Sequence, residues 1–227
     1  MYELELSAVD VPWHRRRSIV MSGAAFVILF CGALRGGEVL LLEASELCKR
    51  IRDGKVHHSV PHVLVPLMGR FKGENGERNV LLALSSVTDN GKIPIRRWVE
   101  RLAATLIHEG KHLNVGPALC NQNGYAMHQS EFNKELREML HRIQISRPDL
   151  CAPDLEIENK YKVFRSFRRG ATTRAKEFKV GEDVINMNNR WRKVQNKSGT
   201  MPNLPMSDLY TEIQQALLTR LRFSKCL

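Results

Sequence analysis

The 227-residue chain lacks a C-x-x-C motif, and its cysteines are few and far apart. There are five of them, an odd number, at positions 31, 48, 120, 151 and 226. A disulfide framework is built from an even set of cysteines, and a cysteine-based zinc site uses them in closely spaced pairs. The spacing therefore argues against both kinds of scaffold and favours a reducing, intracellular compartment.

The sequence also lacks a convincing membrane span. One uncharged stretch, Ser18 to Leu34, follows three arginines, which is the arrangement of a signal anchor. Its 17 residues are at the lower limit for crossing a bilayer, and serine, glycine and alanine dilute its hydrophobicity. A buried core helix over residues 15–34 is predicted instead, and no membrane partner is expected.

Negative charge is scarce relative to positive charge. The chain has 35 lysines and arginines against 24 aspartates and glutamates, a formal net charge of +11. Residues 160–197 alone contain twelve basic and three acidic residues, which accounts for most of the excess. A concentration of this kind is typical of a surface that binds a polyanion, and it favours a nucleic-acid partner.

Apolar periodicity predicts an α+β fold that is mainly α, with one small antiparallel sheet. Two apolar runs, 62–68 and 79–84, flank a polar tip rich in glycine and asparagine and predict a hairpin. Ser130 and Ser207 are the predicted N-caps of two later helices. Further helices are predicted at 38–48, 94–107, 133–145, 166–178 and 182–190. With no internal repeat, residues 1–227 are predicted to be one domain, and 1–14 a short lead segment.

The most conspicuous short motif is His108-Glu109-Gly110-Lys111-His112. Two histidines four residues apart on one helix bind zinc in some hydrolases, with the glutamate as general base. Gly110 weakens the helix that such a site needs, and Lys111 puts a cation beside the metal. A zinc hydrolase is therefore only the third hypothesis, and no metal is expected.

The stretch Phe164 to Ala175 places four arginines within ten residues at a predicted helix start. A guanidinium is a planar, permanent cation that matches phosphate oxygens in pairs, and the N–H groups of a helix start also favour an anion. Arg165, Arg168 and Arg169 would project toward one site. Two interpretations are open: a phosphate clamp, or a solvated basic helix face.

Other residues complete the requirements of phosphoryl transfer without a metal. This chemistry needs cations on the nonbridging oxygens, a nucleophile, and an acid for the leaving oxygen. Arg35 follows the buried helix and supplies a further cation. Lys72, on or beside the hairpin tip, is the candidate general acid. Tyr210, near the start of the last predicted helix, is the candidate nucleophile for a phosphotyrosyl intermediate.

These features resemble, in chain order, the catalytic motifs of the tyrosine recombinases (phage-integrase family). Leu34-Arg35-Gly36-Gly37-Glu38 resembles their first arginine box. Residues 165–175 resemble the second box, H-x-L-R followed by a helix rich in Gly, Ala and Thr. Arg190-Trp191 resembles the later position held by His or Trp, and Tyr210 falls where the nucleophile belongs. The resemblance extends from around Arg15 to the C-terminus.

The resemblance implies a catalytic domain of the DNA breaking-rejoining type, acting inside the cell on double-stranded DNA without a cofactor, as a tetramer. Arg35 and Arg168 would clamp the scissile phosphate, and Lys72 would protonate the leaving 5′-hydroxyl. Trp191 would contact the phosphate, and Tyr210 would attack to leave a 3′-phosphotyrosine. Four further basic residues would contact the DNA backbone: Arg169, Arg174, Arg192 and Lys193.

Three features depart from the family's pattern. Arg165 stands where the second box has its histidine, and a guanidinium is a poor base at neutral pH. The separation between Trp191 and Tyr210 is longer than usual in the family. The N-terminal domain that clasps the DNA in the family is expected to be absent, so the sequence is either a truncated fragment or a shortened derivative that binds DNA weakly alone. The main alternative is therefore a DNA-binding relic of the same fold with impaired catalysis.

Overall fold

The computed structural model describes residues 2–8, 10–53, 61–69, 78–162, 165–182, 184–185 and 220–227. Within these residues the fold is mainly helical with one two-stranded antiparallel sheet, which confirms the predicted fold class. In chain order the elements are α1 (Tyr2–Ser7), α2 (Trp13–Cys31), α3 (Gly36–Val39), α4 (Ala44–Asp53), β1 (His62–Gly69), β2 (Arg78–Ser85), α5 (Ile95–His108), α6 (Gln129–Ser146), α7 (Ile157–Lys160) and α8 (Ser166–Glu177). Residues 220–226 are also helical.

Helix α2 is the centre of the core, as the uncharged stretch in the sequence predicts. Twelve of its 19 residues are buried, because from Ser18 onward it has no charged residue and is apolar on every side. It packs closely on α5: a Cβ atom on Gly23 would overlap the Trp98 indole. In the described part of the chain, no helix is long and apolar enough to cross a membrane.

The hairpin is also confirmed. Strands β1 and β2 pair antiparallel from His62 opposite Ser85 to Gly69 opposite Arg78. Val65 and Leu84 are fully buried and join the core beneath the sheet. The sheet therefore lies with one face on the helices, and residues 70–77, which include Lys72, fall outside the described residues.

The prediction of one helix over residues 38–48 is wrong. The chain forms the single turn α3, then Leu42 pairs with Leu67 of β1 as an isolated bridge, and α4 begins only at Ala44. The cause is Glu43, whose buried carboxylate accepts hydrogen bonds from the backbone N–H groups of Ser45 (3.0 Å) and Glu46 (2.6 Å). An acid in this position caps a helix start and separates it from the preceding turn.

The start of α6 and the lead segment also differ from the predictions. Helix α6 begins at Gln129 and its N-cap is His128, not Ser130, because the Glu131 carboxylate accepts the His128 backbone N–H at 2.6 Å. The lead segment contains α1, and its Tyr2 ring is buried against Phe26 of α2. Burial of an aromatic ring explains why a segment too short to be a domain is nevertheless folded.

Glu43 gives the fold a predictable dependence on pH. Burial by itself raises the pKa of this carboxyl, but hydrogen bonds from Glu46, Ser45 and Gly116 outweigh it, so its pKa is lowered overall. In the unfolded chain the pKa of a glutamate carboxyl is ~4.3. The stability that Glu43 contributes is therefore fully present above that pH and is lost as the pH falls through the folded pKa.

We expect Glu43→Gln to destabilise the protein by about 1–2 kcal/mol at pH 7, the range for loss of a helix cap. The difference from wild type should shrink as the pH is lowered below ~4. Urea unfolding at a series of pH values measures it. The matched control is Glu138→Gln, whose side chain is 43% exposed and 4.0 Å from Lys134. A Glu43→Gln deficit that does not change with pH would contradict the role given to the charge.

Candidate functional site

Helix α8 confirms the predicted helix in the arginine-rich stretch, and its packing explains its orientation. The Phe167 ring stacks on Phe26 of α2 with ring centroids 5.0 Å apart. Ala171 and Ala175 follow at intervals of four residues and are fully buried. Side chains four apart lie on one face of a helix, so this face turns toward α2. The basic residues between them are left at the edge of that face or on the outside.

Arg168 lies at the edge of the packing face. Its side chain is half-buried, and its Nη1 atom is inaccessible to solvent. By contrast, Arg165 at the N-cap and Arg169 on the next residue are both exposed. Arginine is seldom buried unless its charge is compensated. The structure therefore distinguishes Arg168 from Arg165 and Arg169 by its burial.

Arg35 is held at the point where α2 ends and α3 begins. The Glu38 carboxylate, which is 4% exposed, accepts a hydrogen bond from the Arg35 backbone N–H at 2.8 Å. The Arg35 Nη1 atom lies 3.6 Å from Glu38 Oε1, and the side chain stays 42% exposed. Glu38 thus fixes the backbone of Arg35 while the guanidinium keeps access to solvent.

The packing of α2 on α8 brings the two arginine motifs together. Ala33, two residues before Arg35, lies in one apolar cluster with Ala171 and Ala175 of α8. Phe30 reaches the same helix, since its Cε2 atom would lie 3.7 Å from a Cβ on Gly170. Motifs that are far apart in the sequence are therefore neighbours in the fold, each beginning beside this shared cluster.

Arg174, which with Arg169 is predicted to contact the DNA backbone, already has partners within the protein. The Arg174 guanidinium lies 2.9 Å from Glu177 and 4.2 Å above the Phe178 ring. Exposed ion pairs of this kind are weak, at about 0–1 kcal/mol. A phosphate could therefore displace Glu177 at little cost.

Five of the predicted site residues lie outside the described part of the chain: Lys72, Trp191, Arg192, Lys193 and Tyr210. The described residues nearest to the longest gap, 186–219, are Ile185 and the helix at 220–226. Ile185 and Phe223 are both buried in the apolar cluster beside α8. Two described residues near the ends of this gap therefore pack beside the arginine-bearing helix.

The zinc hypothesis is not supported by the local backbone. Helix α5 ends at His108, Gly110 adopts a left-handed conformation (φ 69°), and a separate 3-10 turn follows at Lys111–Leu113. The two histidines therefore do not share one helix face, which a site of this type requires. Over the described residues, no group of three His, Cys, Asp or Glu side chains is placed to hold a metal.

Glu109, the would-be general base of that motif, is a structural residue. Its carboxylate forms a two-point ion pair with the buried Arg17, at 2.6 Å to Nε and 3.1 Å to Nη2. Arg17 also donates to the carbonyl oxygen of Asn121 at 3.1 Å. The pair ties α2 to the end of α5 and to the following loop. Nothing in the local sequence signals it, because Arg17 and Glu109 belong to different elements.

We expect Glu109→Ala to destabilise the fold by roughly 3–5 kcal/mol, because it leaves the Arg17 charge buried and uncompensated. Urea unfolding measures the loss. The control is Glu100→Ala, whose pair with Arg96 is 2.7 Å long but more than 40% exposed on both sides; there we expect at most about 1 kcal/mol. Unchanged stability in Glu109→Ala, together with stoichiometric zinc that is lost in His108→Ala, would instead revive the metal site.

No protein-family model matches the chain, and no curated protein or solved structure shows significant similarity to it. The functional assignment therefore rests on the residues and on how the fold arranges them.

Proposed function

We propose that the chain is the catalytic domain of a tyrosine-type DNA recombinase, which breaks and rejoins duplex DNA through a 3′-phosphotyrosyl intermediate. The observation that supports it most is the packing of α8 on the end of α2, with Ala33, Ala171 and Ala175 in one cluster. This packing makes neighbours of the two motifs that carry Arg35 and Arg168. In the proposed reaction, their two guanidinium groups bind the nonbridging oxygens of one phosphate.

In the proposed reaction, the Tyr210 hydroxyl gives its proton to water as its oxygen attacks the scissile phosphorus and displaces the 5′-oxygen of the next nucleotide. One P–O bond forms and one breaks, so the phosphodiester energy is kept in the protein–DNA bond. Lys72 donates a proton to the leaving 5′-oxygen. Attack by a 5′-hydroxyl on the phosphotyrosine reverses the step and joins the strands. Arg35 and Arg168 stay charged throughout, because a guanidinium does not titrate in this range.

Arg165 is assigned a phosphate contact, not the role of a base. It is exposed at the N-cap of α8, where its charge and the positive end of the helix dipole both favour an anion. The neighbouring Arg169 is exposed as well and extends this basic face. Together with Arg174, these arginines would hold the DNA backbone on either side of the reacting phosphate.

A DNA-binding relic of the same fold is the second candidate. One observation favours it: the position that holds a histidine in the family is Arg165, which cannot accept a proton at neutral pH. A relic would keep the basic surface and lose strand cleavage. Its binding should weaken steeply with salt, since each neutralised phosphate contributes a slope of about −0.9 in log K against log salt.

The deciding experiment uses a pool of nicked duplexes with randomised flanking sequence. After cleavage the short released strand diffuses away, so the reaction cannot reverse and the covalent intermediate accumulates. The purified protein is incubated with the pool, and adducts that survive denaturation are mapped by mass spectrometry. A phosphodiester on Tyr210 supports the proposal. Tight, salt-sensitive binding without any adduct supports the relic, and an adduct on another residue contradicts the nucleophile assignment.

A further inference from the structure

Helix α1 covers a surface that is rich in arginine and is built from three other helices. We call this surface the α1 seat, and its arginines are Arg15 of α2, Arg97 and Arg101 of α5, and Arg142 of α6. Like charges that are brought together repel one another, so such a surface needs anions. In the structure α1 supplies two of them, the carboxylates of Glu3 and Glu5.

Each of these two glutamates faces two arginines of the seat. The Glu3 carboxylate lies 2.7 Å from Arg101 and 3.9 Å from the other arginine of α5. The Glu5 carboxylate lies 2.7 Å from Arg15 and 3.1 Å from Arg142. The hydrogen bond from Arg15 is the largest cause of the lowered pKa of Glu5. Guanidinium groups bind carboxylate and phosphate oxygens in the same way, so α1 occupies groups that suit a phosphate.

The attachment of α1 is of a kind that another anion can displace. The helix has six residues, too few to be stable by itself. The side chains of Glu3, Arg97 and Arg142 are 38%, 63% and 50% exposed, and exposed ion pairs contribute little to stability. Among the side chains of α1 that the structure describes, only Tyr2 is buried. Release of α1 therefore sacrifices one buried ring and a few weak ion pairs.

The Tyr2 ring also shows that the α1 seat adjoins the proposed DNA-binding helix. Tyr2 stacks on Phe26 of α2 with ring centroids 6.4 Å apart, and Phe26 stacks on Phe167 of α8 at 5.0 Å. Phe167 directly precedes Arg168 and Arg169. The α1 seat and the basic start of α8 are therefore neighbours, separated by one aromatic residue.

We propose that the α1 seat is a second binding surface for the phosphate backbone of duplex DNA, and that the duplex displaces α1 from it. The inference rests on the DNA binding in the proposed function, and not on strand cleavage. When α1 leaves, Arg15 keeps a partner, because Glu135 of α6 lies 3.0 Å from it. The other three arginines of the seat are then open to phosphate. Helix α1 thus lowers the affinity for DNA until phosphates replace its carboxylates.

The first test compares the DNA affinity of two double variants. Glu3→Gln/Glu5→Gln removes both charges of α1 and keeps the shape of the side chains. The control, Glu46→Gln/Asp149→Asn, removes two carboxylates that also pair with basic residues, on α4 and beyond the end of α6. The dissociation constant for one duplex is measured at several salt concentrations. We expect the α1 variant to bind about 10-fold more tightly than wild type, and the control to stay within ~2-fold.

Removal of two arginines from the seat shows whether this gain arises there. Arg97→Ala/Arg142→Ala, added to the α1 variant, should abolish the gain and lower the salt slope by about 0.9 for each lost phosphate contact. A gain that persists without these arginines overturns the proposal. A gain no larger than that of the control overturns it as well, because it would then reflect net charge alone.

Hydrogen exchange on the wild-type protein tests the displacement directly. With saturating DNA, we expect the backbone amides of residues 2–8 to exchange about 10-fold faster, since α1 is then released from its seat. Exchange that is unchanged or slower while DNA is bound overturns the proposal. Covalent adduct formation together with that result would leave the proposed function standing. Wild-type protein that binds no DNA contradicts both, whereas release of α1 without any adduct supports the α1 seat on a DNA-binding relic.

Discussion

Replacing Tyr210 by phenylalanine is expected to abolish the covalent protein–DNA adduct. The substitution removes only the phenolic oxygen, which is the atom that would form the bond to phosphorus. Phenylalanine keeps the ring, so folding and DNA affinity should be unchanged. Loss of a covalent nucleophile lowers turnover by at least ~10⁴-fold in other enzymes, and here no second tyrosine is expected to replace it.

The measurement is adduct yield on nicked duplexes, read on denaturing gels, together with the dissociation constant for the same DNA. Tyr125→Phe is the matched control, because Tyr125 is 72% exposed and its phenol has no part in the proposed site. It should form the adduct at the wild-type rate. An adduct of normal yield in Tyr210→Phe would show that another residue is the nucleophile. Reduced DNA binding in that variant would instead indicate a structural role for Tyr210.

Removal of the Arg168 side chain is expected to reduce strand cleavage about 10³-fold at saturating DNA. The charge on the nonbridging oxygens changes as the phosphorus is attacked, and a fixed cation at that point stabilises the transition state. Deleting one preorganised donor of this kind costs ~10²–10³-fold in enzymes where it has been measured. Arg168→Lys should recover part of the rate, since lysine restores the charge but not the planar fork.

Three comparisons make the Arg168 result specific. Arg147→Ala removes an exposed arginine that is paired with Asp149 at 2.7 Å beyond the end of α6, and it should leave cleavage unchanged. Arg169→Ala should weaken DNA binding and lower the salt slope by about 0.9, without a large effect on the rate at saturation. Wild-type cleavage by folded Arg168→Ala would remove Arg168 from the catalytic site.

The elements that sequence reasoning predicts well are those whose signal is local. The uncharged run of α2, the two apolar runs of the hairpin and the helical spacing in α5 each determine their own secondary structure. Helix α8 belongs to this group too, because Phe167, Ala171 and Ala175 define its buried face. Such patterns survive folding because the burial of one face is the main contribution to their stability.

Partners of Glu43 and Glu109 that lie far away in the chain could not be predicted from the local sequence. Residues 38–48 are divided because Glu43 turns its carboxylate onto the start of α4 and onto the N–H of Gly116. The His108–His112 motif is divided where Gly110 turns left-handed, and its glutamate is drawn to Arg17. A short motif carries no information about such partners, so its residues can match a metal site and still serve the core.

The sequence by itself determines which chemical groups this protein has and where its charge is concentrated. It supplies the arginines of two motifs, a candidate lysine and a candidate tyrosine, and a basic segment suited to a polyanion. Only the tertiary structure decides that Ala33 and Ala171 share a cluster, which makes neighbours of the motifs of Arg35 and Arg168. It likewise places Phe223 in that cluster and the neighbouring Ser224 on the last residue of β2. Shape complementarity between buried surfaces selects these pairings, and no local pattern encodes it.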